Sequence, residues 1–176
     1  VLTTPVIRCV KEQLNCEVHF LTKKSFESIL IFNAHLDKIY TINKKVSEVL
    51  PQLKLEKYDA IIDLHKNLRT LQVRWGLRVP YFSFDKLNWE KWLMVNFKIN
   101  RLPKIHIVER YMNSVKALGV SYDGKGLEPM KTEEQPSDDK IVFAIGGAHA
   151  TKRLPVSKII SICRKIKSPI ILIGGK

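Results

Sequence analysis

Short apolar runs alternate with segments of helical spacing along almost the whole chain, and this alternation limits the folds open to it more than any other feature. CEVHFLT from Cys16, DKIYTI from Asp37, YDAIIDL from Tyr58 and VPYFSF from Val79 have the alternation or the β-branched and aromatic content of strands. Between them, apolar residues at helical spacing predict helices over Thr3–Leu14, Ser25–Phe32, Val46–Leu55 and Leu68–Leu77. Thr3 or Thr4 is placed to cap the first of these, with Pro5 in its first turn, where a missing N–H does no harm. The run AIIDL from Ala60 is too continuous for a half-exposed strand and implies a sheet covered on both faces. Crossovers of this length imply a parallel, doubly wound sheet, so the fold class is α/β.

Further along, Ile107–Leu118 has a helical period and Gly119 stands where a left-handed C-cap glycine belongs. The polar stretch from Ser121 to Asp139, with Gly124, Gly126, Pro129 and Pro136, has little to bury and predicts a connection between domains. The alternation then restarts with a strand over Lys140–Ile145, a helix over Pro155–Ile166 facing inward with Ile159, Ile160, Cys163 and Ile166, and a strand over Pro169–Ile173. The boundaries predicted are a domain over residues 1–120, a linker over 121–139 and the start of a second domain over 140–176. Two strands and one helix bury too little to stand alone, and a helix of the first type normally follows a strand, so both ends are expected to be truncated.

Asn88–Lys98 carries Trp89, Trp92, Leu93 and Val95, with Lys86, Lys91, Lys98, Arg101 and Lys104 close by. Packing into the core is the commoner fate of such a helix and is the reading favoured here. The alternative is an amphipathic patch resting on an acidic membrane surface, where aromatic residues and lysines occur together.

Thirty Lys and Arg against 17 Asp and Glu give a net charge of +13, which favours an anionic partner. Nucleic acid, a membrane surface and phosphorylated small molecules all meet that requirement. No RNP, KH, zinc-finger or homeodomain signature occurs, which argues against nucleic acid as the partner. No run of 18 apolar residues and no signal-peptide pattern occurs, so a cytoplasmic location is expected. Cys9, Cys16 and Cys163 are widely spaced among apolar neighbours and fit reduced, buried thiols rather than a disulfide framework or metal site. His19, His35 and His65 have no metal-ligand spacing.

The motif richest in chemistry is IGGAHATKRLP, Ile145 to Pro155, between a predicted strand and a predicted helix. Glycines let backbone N–H groups approach a ligand, a following helix adds its positive end, and Lys152 supplies a full charge, which together suit a phosphate. The motif is neither GxxxxGK[ST] nor GxGxxG, and a plain strand-to-helix turn with an exposed lysine would look the same.

Five segments, VLTTPVIRCVKEQ, EVHFLTKKSF, YDAIIDLHKNLRT, HIVERYMNSVKALGV and GGAHATKRLP, resemble glycosyltransferase family 9, the lipopolysaccharide heptosyltransferases, in order and spacing. The resemblance implies a GT-B fold of two Rossmann-like domains and inverting transfer of heptose from an ADP-heptose donor to a lipopolysaccharide core acceptor; the alternative is a family member that transfers another sugar. It also implies no metal or other cofactor, and a peripheral position at the cytoplasmic face of the inner membrane. Residues 1–120 would be the acceptor-side domain and 140–176 the start of the donor-binding domain.

On this resemblance Thr151 and Lys152 look like the family's Thr-Lys pair, whose lysine meets the donor phosphates, with Ala148 and His149 in the same loop. Gly146 and Gly147 depart from the usual Pro-Gly, and Leu154 stands where tryptophan is common. Asp63, Asn67 and Arg69 match D-x-x-x-N-L-[RK], and Arg69 would meet phosphates of the acceptor; the alternative is a helix-capping Asp and a surface Arg. Thr3 and Thr4 would line the cleft floor or act simply as caps. Val1–Pro5 resemble the residues after a Ser-x-Gly-Asp loop, whose aspartate, the general base, is expected just ahead of Val1. The donor's Asp-x-Gly stretch is expected beyond Lys176. His106, Glu109 and Arg110 match H-x-x-E-R, read here as ties to a neighbouring element.

Overall fold

Every strand pairing among the described residues is parallel. β1 (His19–Lys23) pairs with β2 (Lys38–Ile42), β3 (Ile61–Asp63) with β4 (Tyr81–Ser83), and β5 (Ile141–Ala144) with β6 (Ile170–Ile173). The chain is described from a computed structural model covering residues 1–128, 140–147 and 149–174. It divides into two compact units, Val1–Lys131 and Thr132–Lys176. The helices are α1 (Thr4–Leu14), α2 (Leu50–Leu55), α3 (Leu68–Leu77), α4 (Asn88–Phe97), α5 (Ile107–Asn113) and α6 (Val156–Lys165), with short 3-10 turns at Lys24–Ile29, Val46–Glu48, Lys116–Leu118 and Ala150–Lys152. The fold is α/β as expected, built on three two-stranded parallel ladders rather than one continuous sheet.

β3 explains how the first unit coheres without a hydrogen-bonded link between its ladders. Ile62 packs on one core, made by Val6, Cys9 and Val10 of α1 with Met112, Val115 and Val120. Ile61, its neighbour, packs on the other, made by Ile42, Val46, Val49, Leu53 and Val73, which Leu21 of β1 and Tyr40 of β2 also join. Successive strand residues point to opposite faces, so the run IID serves two cores at once.

Several helices are shorter than their apolar period predicts. Pro51 lacks an N–H and sits in the first turn of α2, so the predicted helix over Val46–Leu55 splits into a 3-10 turn and a separate α-helix. Ser114 Oγ donates to the Tyr111 carbonyl at 2.6 Å and α5 stops there, before a 3-10 turn that ends at Gly119 with φ 79°. In place of the helix predicted over Ser25–Phe32 there is a 3-10 segment, Lys24–Ile29, followed by a turn. Ile159, Cys163 and Ile166 are half-buried in the second unit, but Ile160 is exposed, contrary to its inward reading. Two strands cover only a narrow stripe of α6 among the described residues. The larger correction concerns α4, which buries none of its residues.

The stretch expected to begin a connection is, as far as Glu128, bound tightly to α1. Arg8, only 5% exposed in its side chain, donates from Nε and Nη2 to Asp123 at 2.7 and 2.9 Å. It also meets the Gly126 carbonyl at 2.9 Å and Glu128 at 3.2 Å. Gln13 exchanges hydrogen bonds with the Ser121 backbone, and Glu128 N donates to Thr4 Oγ1. Polarity therefore marks side chains that satisfy a buried guanidinium. The rest of the expected linker, 129–139, lies outside the described residues.

The Arg8 guanidinium holds the Asp123 carboxyl well below the usual carboxylate range. A carboxylate depressed in the folded state stabilises it fully above the unfolded value of about 4, and that contribution is lost progressively as the pH falls below it towards the depressed folded-state value. Arg8→Ala should cost about 3 kcal/mol at neutral pH by stranding the buried carboxylate. In urea melts the gap to the unsubstituted chain should narrow at pH 3; an equal gap at both pH values contradicts this.

Candidate functional site

In open parallel sheets ligands gather beyond the carboxyl ends of the strands, and the candidate residues belong to the turns that leave β3 and β5. Each turn is held by a different device.

At the end of β3, Asp63 is 3% exposed. One carboxylate oxygen accepts from the amides of His65 at 2.8 Å and Lys66 at 2.7 Å, and the other accepts from the Tyr81 hydroxyl at 2.6 Å. Burial opposes its ionisation, but the donors, led by the Lys66 amide, outweigh burial and hold the carboxyl below its ordinary range. The Tyr81 phenol is pushed up to about 12 by its own burial and by Asp63. Lys66 takes a left-handed conformation, φ 50°. Asn67 then caps α3: its Oδ1 accepts from Thr70 N at 3.0 Å while Thr70 Oγ1 accepts from Asn67 N at 2.9 Å. Asp63 and Asn67 thus shape the turn, and what they present outward is the exposed cationic side chains of Lys66 and Arg69 at the first turn of α3.

At the end of β5, Ile145 N still bonds to the Ile173 carbonyl, and the chain then turns through Gly146 and Gly147. A Cβ on Gly147 would lie 3.1 Å from the Lys152 carbonyl oxygen and 3.2 Å from Lys152 Cβ. The 3-10 turn Ala150–Lys152 therefore lies directly against the glycine. Its amide bonds run from Lys152 N to the His149 carbonyl at 2.9 Å and from Arg153 N to the Ala150 carbonyl at 3.1 Å, and Arg153 Nε ties back to the Gly147 carbonyl at 2.6 Å. His149, Thr151 and Lys152 are exposed, and among the described residues Lys152 is in no ion pair. Ala148 lies outside the described residues.

The remaining candidates have local partners. Thr3 stands at the N-cap position of α1 without a side-chain capping bond. Thr4 is buried, donates to the Val1 carbonyl at 2.8 Å and accepts from Glu128 N, so its hydroxyl proton is committed within the chain. His106 caps α5 through Nδ1, and Arg110 reaches the Asp85 carbonyl and lies over the Phe84 ring, tying α5 to the end of β4. His19 bonds to the Tyr58 hydroxyl at 2.9 Å. Sequence reasoning missed Tyr81 and Arg153, which hold the two turns: Tyr81 stands 18 residues from Asp63, and no local pattern announces such a contact.

No profile of a known protein family matches the chain, and no curated protein matches it in sequence. Among solved structures it is similar to the glycosyl transferase family 9 from Veillonella parvula DSM 2008, with a TM-score of 0.68 at 18% identity over 99% of this chain. The two share a fold. The chain spans 65% of that protein's length.

The close approach at Gly147 gives a local prediction. Gly147→Ala should push the 3-10 turn away and loosen it, so that amide exchange at Lys152 and Arg153 accelerates while the amides of α6 are unchanged. Unaltered exchange at those two amides would show that the turn does not depend on the missing side chain.

Proposed function

We propose that the chain carries the acceptor side and the diphosphate-binding turn of a glycosyltransferase, one that moves heptose from ADP-heptose to the lipopolysaccharide inner core with inversion. The observation that carries this reading is the exposed Thr151-Lys152 pair on a glycine-packed turn after a parallel strand, within a fold shared with a family 9 glycosyl transferase.

In such a transfer the acceptor hydroxyl oxygen attacks the anomeric carbon and the bond to the diphosphate breaks. The electron pair leaves with ADP, and the hydroxyl proton passes to a carboxylate, which the resemblance puts just ahead of Val1. Charge grows on the departing phosphate, so a cation fixed beside it stabilises the transition state more than the ground state. Lys152 supplies that cation without having to leave an ion pair among the described residues. Its backbone position is set by the glycine contact, which limits the reorganisation needed when the charge appears.

The acceptor side needs a different kind of recognition. A phosphorylated core sugar presents oxygens in a plane that a guanidinium matches with two parallel hydrogen bonds. Arg69, on the first turn of α3 and raised on the Asp63–Asn67 scaffold, suits that role, with the positive end of the helix behind it. Asp63 and Asn67 act as positioning residues, since both carboxylate oxygens of Asp63 and Oδ1 of Asn67 are already engaged within the chain.

ADP titrated calorimetrically into the chain should bind with 1:1 stoichiometry, and Lys152→Ala should weaken it about tenfold, the scale of a lost hydrogen bond to a charged group. An affinity unchanged by Lys152→Ala contradicts the phosphate role. Arg69→Ala should leave ADP affinity intact and weaken a phosphorylated core oligosaccharide; a loss confined to ADP would move Arg69 off the acceptor side.

A further inference from the structure

α4 has the exposure expected of an element that meets something other than its own core. Trp89 is 64% exposed and Phe97 60%, and Trp92, Met94, Val95 and Ile99 are exposed as well. These side chains are nonetheless organised. The rings of Trp89 and Trp92 stack with centroids 5.0 Å apart and planes 15° apart, and Phe97 meets Trp92 edge-on at 5.3 Å. The ends of the helix are set by left-handed residues, Leu87 with φ 52° and Lys98 with φ 59°, and Leu87 N is held by Asp85 at 3.0 Å. The result is an aromatic plate assembled in advance and left facing outward.

Its surroundings are basic. Residues 85–104 contain Lys86, Lys91, Lys98, Arg101 and Lys104 against Asp85 and Glu90, five cations to two anions. Lys91, Lys98, Arg101 and Lys104 are all exposed. An open groove lined by Lys66, Asp85, Lys86, Asn88, Trp89 and Glu90 joins the turn after β3 to the start of this helix.

Indole rings prefer the boundary between lipid headgroups and acyl chains, where an apolar face and a polar N–H are both satisfied. Lysine and arginine beside them are drawn to anionic headgroups. A protein partner with an apolar groove would satisfy the rings but would leave the surrounding cations uncompensated. A bilayer with acidic headgroups answers both at once.

We propose that α4 and the basic segment that follows it, residues 98–104, dock the protein on an anionic lipid bilayer. Trp89, Trp92 and Phe97 enter the headgroup boundary, and Lys98, Arg101 and Lys104 face lipid phosphates. The groove from Trp89 to Lys66 then opens at the lipid surface, beside the turn that bears Arg69. That last consequence rests on the glycosyltransferase reading, because it takes the acceptor to be lipid-anchored; the docking itself rests on exposure, ring stacking and charge.

The test uses the chain with Trp75→Phe, which leaves Trp89 and Trp92 as its two indoles, and vesicles of phosphatidylglycerol mixed with phosphatidylcholine against phosphatidylcholine alone. Co-sedimentation and a blue shift of the indole emission are expected with the acidic vesicles, and added salt should weaken both. Each charge reversal among Lys98, Arg101 and Lys104 should cost at least about fivefold in partitioning, the scale of one basic residue near an anionic surface. Trp89→Ala with Trp92→Ala should abolish sedimentation while leaving far-ultraviolet circular dichroism and ADP affinity unchanged.

Failure to bind acidic vesicles overturns the proposal, as does equal binding to both vesicle types with silent charge reversals. Self-association without lipid that the double alanine variant abolishes also overturns it, by showing that a second copy covers the plate. Vesicle binding without ADP binding would sink the glycosyltransferase reading and leave the docking intact; ADP binding without vesicle binding does the reverse.

Discussion

The first unit depends on a strand of three residues. Ile61 and Ile62, both partly buried, pack against opposite cores, so β3 joins the two. Asp63, the next residue, is buried, and a buried carboxylate must be matched by donors or lose its charge. It is matched by the amides of the turn it begins and by a tyrosine from the paired strand β4. The same residue therefore ends the strand, shapes the turn and fastens it to the neighbouring strand. The direction in which Arg69 leaves the surface is a consequence of that arrangement.

The turn after β5 solves a similar problem by different means. There the chain has no buried carboxylate to gather amides, and closeness is obtained by leaving out a side chain at Gly147. In both turns the cation is exposed while the groups that position it are spent on internal bonds. This division suits an anion that arrives and departs: the scaffold stays fixed while a lysine or arginine meets the ligand. The Arg8–Asp123 clamp is the converse case: the cation on α1 is buried because two carboxylates and a carbonyl surround it.

The parallel α/β plan was legible from the spacing of apolar runs, since a parallel pair requires a long crossover and each crossover here carries a helix or a 3-10 turn. Leu68–Leu77 was read with both of its bounds from the apolar period alone. Helices failed to extend where a local bond competed, as at Ser114, or where proline removed a donor, as at Pro51. The attachment of residues 121–128 to α1 was not legible for a physical reason: side chains that look solvated were reserved for Arg8, 115 residues away from Asp123. Trp89 and Trp92 were assigned to the core because large aromatics usually are, and only the structure shows them stacked on each other in the open. Of the candidate site, the cations were legible as charges next to turns. The roles of Asp63, Asn67 and Thr4 were not, because a sequence does not say which hydrogen-bond acceptors are already occupied.

The central claim is that a diphosphate settles on the turn leaving β5. Backbone amide chemical shifts of the isotope-labelled chain, followed as ADP is added, test it most directly. The account predicts that the largest saturable changes fall on the amides from Gly146 to Arg153, with the Lys152 ammonium moving alongside them. Changes centred on His65–Arg69 instead, or no saturable change anywhere in the chain, would contradict it.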